Sequence, residues 1–478
     1  MERPTPTDTI ETTFALARHA LARRPGLVLV SSADGPVLRC FPVLAGASLT
    51  IGRGDIPDER LSRVHAQIRF VDGRWRVRDL GSRNGTFADG RRIEGELDGD
   101  VSRVLRMADS LFVPCADVTP FEDAAHGRAS LDDGTIVAGP ALQRALADVA
   151  RAADSGDGIL ITGESGAGKE LAARAFHAAG PCRDGPFIGV NGATIAPGLA
   201  ERLLFGARRG AYSGAHADAP GYIQAASGGV LFLDEVGELD TLVQAKLLRV
   251  LETHEVLPLG AVRPLPVRLS VCWATNRNLR AEVADGRFRA DLYYRIAGHH
   301  VALPPLRNRP EEIPFLVARA LAQVDARLRA HAQLIEACLL RPWPGNVREL
   351  LGAARAAASR AKADGTTVVC PPHLEATAGE LIGVESAAAV TLSLSENEQR
   401  CPPAGDGAGL KTAITEAERR QIEKALGEAN GNRELAARRL GVSRRTLYYK
   451  LRVHGFPRRL VSPPAGEETD PDAPIRST

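Results

Sequence analysis

The sequence predicts three folded units in one chain: an all-β sandwich, an α/β domain with a parallel sheet and a helical extension, and a small all-helical unit. Three observations carry that reading. From 26 to 118, short apolar runs (LVLVSS, SLTIG, AQIRFV, WRVRDL) alternate with Gly and Asp turns at hairpin spacing, the pattern of two packed antiparallel sheets. From 134 to 305, strand-like runs (GILITG, GVLFLDEV, RLSVCWAT) alternate with helical stretches, which calls for crossovers and a parallel sheet; a helical portion follows over 306 to 380. From 412 to 456 the periodic segments are helical. The stretches 119–133, rich in Asp and Ala, 384–410, containing SENEQRCPPAGDGAG, and the segment after 460 lack the apolar content to build a core.

Composition narrows the function classes. The 478 residues include 60 Lys+Arg and 58 Asp+Glu and are 44% hydrophobic, a globular balance that excludes fibrous and wholly disordered chains. No apolar run of membrane-spanning length occurs, and MERPTPTDTIETTF is polar and acidic where a signal peptide would be basic and then apolar. Seven cysteines without a CxxC pair fit reduced thiols in a cytosol, so a cytoplasmic location is expected. Charge is uneven along the chain. Residues 431–460 carry nine Lys or Arg and one acid, Glu434, which points to a polyanionic partner.

The α/β unit opens on a phosphate site. After the strand GILIT comes GESGAGKE: Gly163, Glu164, Ser165, Gly166, Ala167, Gly168, Lys169 and Glu170, running directly into the helical ELAARAFHAA. The glycines let backbone N–H groups close around phosphate, and Lys169 places a point charge on the β and γ phosphates of ATP. Glu170 stands where a Ser or Thr hydroxyl normally reaches Mg²⁺, so the ion has to lean on other ligands. The strand GGVLFLDE supplies them: Asp234 would hold Mg²⁺, and Glu235 would polarise the attacking water.

On these residues the unit resembles the AAA+ domain of bacterial enhancer-binding proteins, the ATPases that activate the sigma-54 RNA polymerase. Further stretches extend the resemblance: FGARRGAYSGA, ATNRNL, FRADLYYRI, LPPLRNRPEEIP and WPGNVREL. It implies roles position by position. Asn191 corresponds to a switch residue facing Glu235, Asn276 to the sensor of the γ-phosphate, Arg289 and Arg295 to arginine fingers, and Arg348 to a second sensor on a helical lid. Fingers act from a neighbouring subunit, so a homo-oligomer, from dimer to hexameric ring, is implied. Where the family loop that contacts sigma-54 reads GAFTGA, this chain reads GAYSGA. Tyr212 keeps the ring and Ser213 the hydroxyl, while Ala207 and Arg208 replace the usual His-Glu. A DNA-bound regulator whose ATPase no longer engages sigma-54 therefore stays open as an alternative.

The flanking units carry two more resemblances. IGRGD, LSRVH and DLGSRNGTF, in that order within the β pattern, resemble the forkhead-associated (FHA) domain, which binds phosphothreonine peptides. It implies phosphate contacts from Arg53 and Ser62, added charge from Arg63, a peptide-backbone contact from Asn84, and a bracing role for His65. The ligand would be a phosphothreonine on a partner protein or on this chain's own N-terminal segment. The segment GNRELAARRLGVSRRTLYYKLRVHG reads as a helix-turn-helix, with Leu447 and Leu451 inward, and resembles the Fis-type DNA-binding domain. Arg444, Arg445, Tyr448, Tyr449 and Arg452 are then left to meet enhancer DNA.

Overall fold

The computed structural model describes residues 23–381 apart from 45, 99–102, 125–127, 132–133, 138, 157, 197 and 214–215. The helix-turn-helix segment, with Arg444, Arg445, Tyr448, Tyr449 and Arg452, lies outside the described residues. No described helix is long and apolar enough to cross a membrane.

The first unit is a sandwich of two antiparallel sheets. Its strands are β1 (Gly26–Ser32), β2 (Gly35–Pro42), β3 (Ser48–Ile51), β4 (Ala66–Val71), β5 (Arg74–Asp79), β6 (Thr86–Ala88), β7 (Arg91–Arg92), β8 (Glu96–Asp98), β9 (Leu105–Met107) and β10 (Ser110–Cys115). They order as β2-β1-β10-β9-β6-β7 and β3-β4-β5-β8. Alternation sets the inner faces. Trp75 and Val77 of β5 are buried while Arg74 and Arg78 are exposed, and Val77 pairs with Ile68 across the ladder. β1 departs from alternation: its first six residues are all buried, so both of its faces are covered.

The second unit is a five-stranded parallel sheet, β11 (Ile159–Thr162), β12 (Phe187–Asn191), β13 (Val230–Asp234), β14 (Ser270–Thr275) and β15 (His300–Ala302), in the order β12-β13-β14-β11-β15. Helices flanking it include α1 (Pro140–Asp154), α2 (Lys169–Ala179), α3 (Thr241–Thr253) and α4 (Ala290–Ile296). β11 sits inside the sheet, buried on both sides, and the loop leaving its C-terminal end enters the crevice where ligands of such sheets bind. After two 3₁₀ turns the lid follows as α5 (Ile313–Val324), α6 (Ala332–Leu340) and α7 (Asn346–Ala363). Its apolar stripe, Val317, Leu321, Leu334, Leu350, Ala354 and Ala358, is buried.

The six cysteines among the described residues are free thiols. Burial pushes Cys40 up to about 11 and Cys338 up to about 12, leaving both thiols protonated and unreactive at neutral pH.

Candidate nucleotide and phosphopeptide sites

The phosphate loop is held open by its own geometry. Gly166 has φ +74°, and a Cβ there would stand 2.3 Å from the Gly345 carbonyl oxygen, so only glycine lets the lid approach this closely. Lys169 opens α2, is 6% exposed, and its Nζ lies 3.2 Å from Gly163 O and 3.3 Å from Glu235 Oε1. The first N–H groups of a helix have no intrahelical partner, so the start of α2 and the Lys169 ammonium together suit an anion such as a polyphosphate.

Two acids end β13 beside it. Glu235 takes the left-handed conformation, φ 51°, which turns its carboxylate back over the loop. Its Oε2 accepts a hydrogen bond from the Asn276 backbone N–H at 3.2 Å, and its own N–H donates to Asp234 Oδ1 at 3.0 Å. Burial pushes the Asp234 carboxyl above the usual range and the Glu235 charge adds to that; Lys169 and Arg348 pull the other way. An acid whose ionised form is disfavoured gains most from a cation. Among the described residues no cluster of three His, Cys, Asp or Glu side chains could hold a metal alone. Glu170 pairs with Arg174 at 2.9 Å on the exposed side of α2.

The remaining expected residues divide. Arg348 on α7 reaches Ser165 Oγ at 3.2 Å and so stands over the loop. Asn191 lies opposite Asp234 in the β12–β13 register, but its Oδ1 caps the following turn through the Ala193 N–H at 2.9 Å. Arg289 pairs with Asp291 at 2.7 Å, and Arg295 reaches the Leu251 carbonyl beside Gly158, at the other end of β11 from the phosphate loop. Tyr212 is 38% exposed; its hydroxyl accepts from Arg202 at 2.9 Å, with that guanidinium over its ring. Ser213 beside it is exposed, and Arg208 below the loop pairs with Asp218, which cancels the charge that replaces the usual His-Glu.

Sequence reasoning missed the clamp between lid and loop. Asn346, fully buried with φ 51°, accepts from Leu306 N–H at 2.8 Å and donates to Glu164 Oε2 and Ser165 O, each at 3.1 Å. Arg307 forks onto Glu164 at 2.7 and 2.8 Å, and buried Arg309 donates to Ala167 O at 2.6 Å while pairing with Glu312. The signal was present as WPGNVREL and LPPLRNRPEEIP, but their partners lie about 140 to 180 residues away in sequence, beyond any periodicity.

On the sandwich, Arg53, Glu59, Arg60, Leu61, Ser62, Arg83 and Asn84 line a cleft of about 300 Å³. Arg53 is fixed by donating to Leu61 O and Glu59 O, at 3.0 and 2.6 Å. Ser62 Oγ accepts from the Arg83 N–H at 3.1 Å, and Asn84 Nδ2 donates to Arg60 O at 2.6 Å. Fully buried His65 accepts from Ser62 N–H through Nδ1, so its Nε2–H donates to Gly85 O at 3.1 Å and ties the two loops together. Burial pushes Asp79 up, but hydrogen bonds from Ser82 and Thr86 more than offset it and hold the carboxyl below the usual range, anchoring the second loop. Arg63 is exposed and outside the cleft lining; Arg60 and Arg83 take places the sequence reading did not assign.

Three families match segments of this chain. The family described as "Sigma-54 interaction domain" matches residues 135–302, "FHA domain" matches 49–103, and "Bacterial regulatory protein, Fis family" matches 413–453. The nitric oxide reductase transcription regulator NorR1 of Cupriavidus necator is 40% identical over 328 residues, covering 67% of this chain and 64% of that protein. NorR2 of the same organism is 40% identical over 365 residues, covering 75% and 67%. The response regulator protein FleR of Pseudomonas aeruginosa is 40% identical over 337 residues, covering 67% and 70%. The chain thus spans about two thirds of the length of these relatives. It belongs to the sigma-54-dependent transcriptional regulators, with an AAA+ P-loop ATPase domain set between an FHA domain and a Fis-type helix-turn-helix.

Proposed function

We propose that the protein is a sigma-54-dependent transcriptional activator in which an oligomeric ring hydrolyses ATP to open a promoter, under control of a phosphothreonine signal. The observation that carries the proposal is the convergence of Lys169, Asp234, Glu235 and Asn276 under a lid that places Arg348 on the loop. Units at 134–305 and 306–380 form the motor, the unit at 26–118 reads the phosphopeptide, and the unit at 412–456 holds enhancer DNA.

Each step falls to a residue of this chain. Loop N–H groups and Lys169 bind and orient the polyphosphate. Glu235, aimed by its left-handed backbone and by the Asn276 N–H, accepts the proton of the attacking water. Mg²⁺ held by Asp234 would supply the charge that neutralises the phosphate oxygens. Arg295 lies at the far end of the strand from its own loop and Arg289 is exposed, which suits fingers acting on the neighbouring subunit. Tyr212 and Ser213 are presented to solvent for sigma-54, and Arg53, Ser62 and Asn84, with Arg60 and Arg83, receive the phosphothreonine.

Steady-state ATPase of the full chain tests the motor. Glu235→Gln is expected to lower kcat by about 10²–10⁴-fold with little change in nucleotide binding. A wild-type rate unaffected by this change would contradict the assignment. Binding to sigma-54 in the presence of a transition-state nucleotide mimic, lost on Tyr212→Ala, separates the activator from a regulator that no longer engages sigma-54.

A further inference from the structure

The sandwich and the lid are fused through one core. Leu27 and Leu29 of β1 point into the sandwich, whereas Val28 and Val30 share a buried cluster with Leu321, Leu334 and Leu339 of the lid. β10 divides the same way, with Phe112 inward and Leu111 and Val113 toward the lid. Across this seam Arg106 Nε donates to Glu336 Oε2 at 2.7 Å, the two side chains being 10% and 7% exposed, and the guanidinium lies 3.8 Å over the Phe87 ring. Removing one partner of such a pair while the seam stays closed leaves an uncompensated buried charge, so each residue holds the other in place.

Two contact paths meet there. On the cleft side, Arg60 pairs with Asp109 at 3.1 Å; Asp109 sits in the β9–β10 turn, three residues after Arg106, and Asp58 accepts from its N–H and from Ser110 Oγ. On the nucleotide side, α6 carries Glu336 and is followed by buried Trp343, whose indole N–H donates to Cys338 O at 2.7 Å. The same turn delivers Asn346 to Glu164 and Ser165 of the phosphate loop.

We infer that Arg106 and Glu336 are positioning residues that couple the phosphate-reading cleft to the nucleotide site, the sandwich moving as a rigid extension of the lid. This rests on the ATP reading above. Neither residue touches a ligand. Nucleotide that draws Asn346 and Arg348 onto the loop fixes the lid, and with it the β9–β10 turn behind Arg60. By linkage, a phosphopeptide in the cleft changes nucleotide affinity by the same factor.

Amide hydrogen exchange on the full chain, with and without Mg²⁺ and a slowly hydrolysed ATP analogue, tests the coupling. Nucleotide is expected to slow exchange several-fold at Leu105–Met107 and Ser110–Cys115 as well as in the phosphate loop, because strands sharing the lid's core open only when that core does. Glu336→Gln should abolish the effect on the strands and leave the loop protected, which also shows that the variant folds. Arg106→Met combined with Glu336→Leu removes both charges and should restore it. In parallel, retention on a degenerate phosphothreonine-peptide resin should shift about fivefold or more with nucleotide in the wild type and not in Glu336→Gln. Strands indifferent to nucleotide while the loop is protected would overturn the coupling, as would an undiminished response in Glu336→Gln. A loop that gains no protection would overturn the nucleotide reading itself.

Discussion

Single residues hold the two sites in shape. A Cβ on Gly52 would stand 2.0 Å from the Arg63 carbonyl oxygen, and the neighbouring Arg53 N–H donates to Ser62 O. Gly52→Ala must therefore push apart the loops that present Arg53 and Ser62. We expect a stability loss of about 1–3 kcal/mol by denaturant titration, together with loss of phosphothreonine binding. Asp234 makes the opposite trade. Its folded pKa lies above the unfolded value, so the native state holds the proton more tightly. Its own contribution to stability is fully present below the unfolded pKa and is lost as pH rises through the folded pKa. Asp234→Asn should raise Tm at neutral pH while eliminating magnesium-dependent hydrolysis, the usual tension between stability and a site that must bury charge. At this scale the sequence was informative: Lys169, Asp234 and Glu235 were readable because strand, loop and acidic strand end are local patterns. Arg60 and Arg83 were not, since a cleft is made by loops about 20 residues apart.

Elements show where local pattern stops being enough. The continuous apolar run LVLVSS of β1 departs from the alternation of a sandwich strand with one wet face, and the structure gives the reason: the lid covers the second face. The turn from Trp343 to Arg348 holds two non-glycine residues at positive φ, Trp343 at 50° and Asn346 at 51°, the second a residue type that tolerates it. Asn346→Ala removes that tolerance and the bonds to Leu306, Glu164 and Ser165. We expect about 2–4 kcal/mol of destabilisation and a several-fold higher KM for ATP with a smaller effect on kcat. The 3₁₀ turn Pro310–Glu312 carries a pH dependence of its own. Burial raises the Glu311 carboxyl to about 8, with the neighbouring Glu312 adding to it. Its contribution is present below the unfolded value of 4.5 and is lost as pH rises through about 8. Stability measured from pH 6 to 9 should fall, and Glu311→Gln should flatten the slope.

At the scale of the whole molecule the proposed mechanism depends on assembly. Arg289 and Arg295 are exposed, and Arg295 lies at the far end of its strand from its own phosphate loop, so under the proposed mechanism the fingers act on a neighbouring subunit. Loss of a finger costs about 10³-fold or more in comparable NTPases. Arg295→Ala and Glu235→Gln chains are each expected to be inactive alone and to recover ATPase when mixed, because some interfaces then pair an intact base with an intact finger. The order of the three units was legible from pattern, as each has its own period and motifs. The docking of sandwich on lid was not, because Arg106 and Glu336 are 230 residues apart and neither belongs to a motif. The measurement that reaches the central claim most directly is in vitro transcription from a sigma-54 promoter carrying the enhancer site. Open complexes should form with the wild-type chain and hydrolysable ATP, and fail with a non-hydrolysable analogue or with Glu235→Gln. Equal promoter opening under all three conditions would contradict the account.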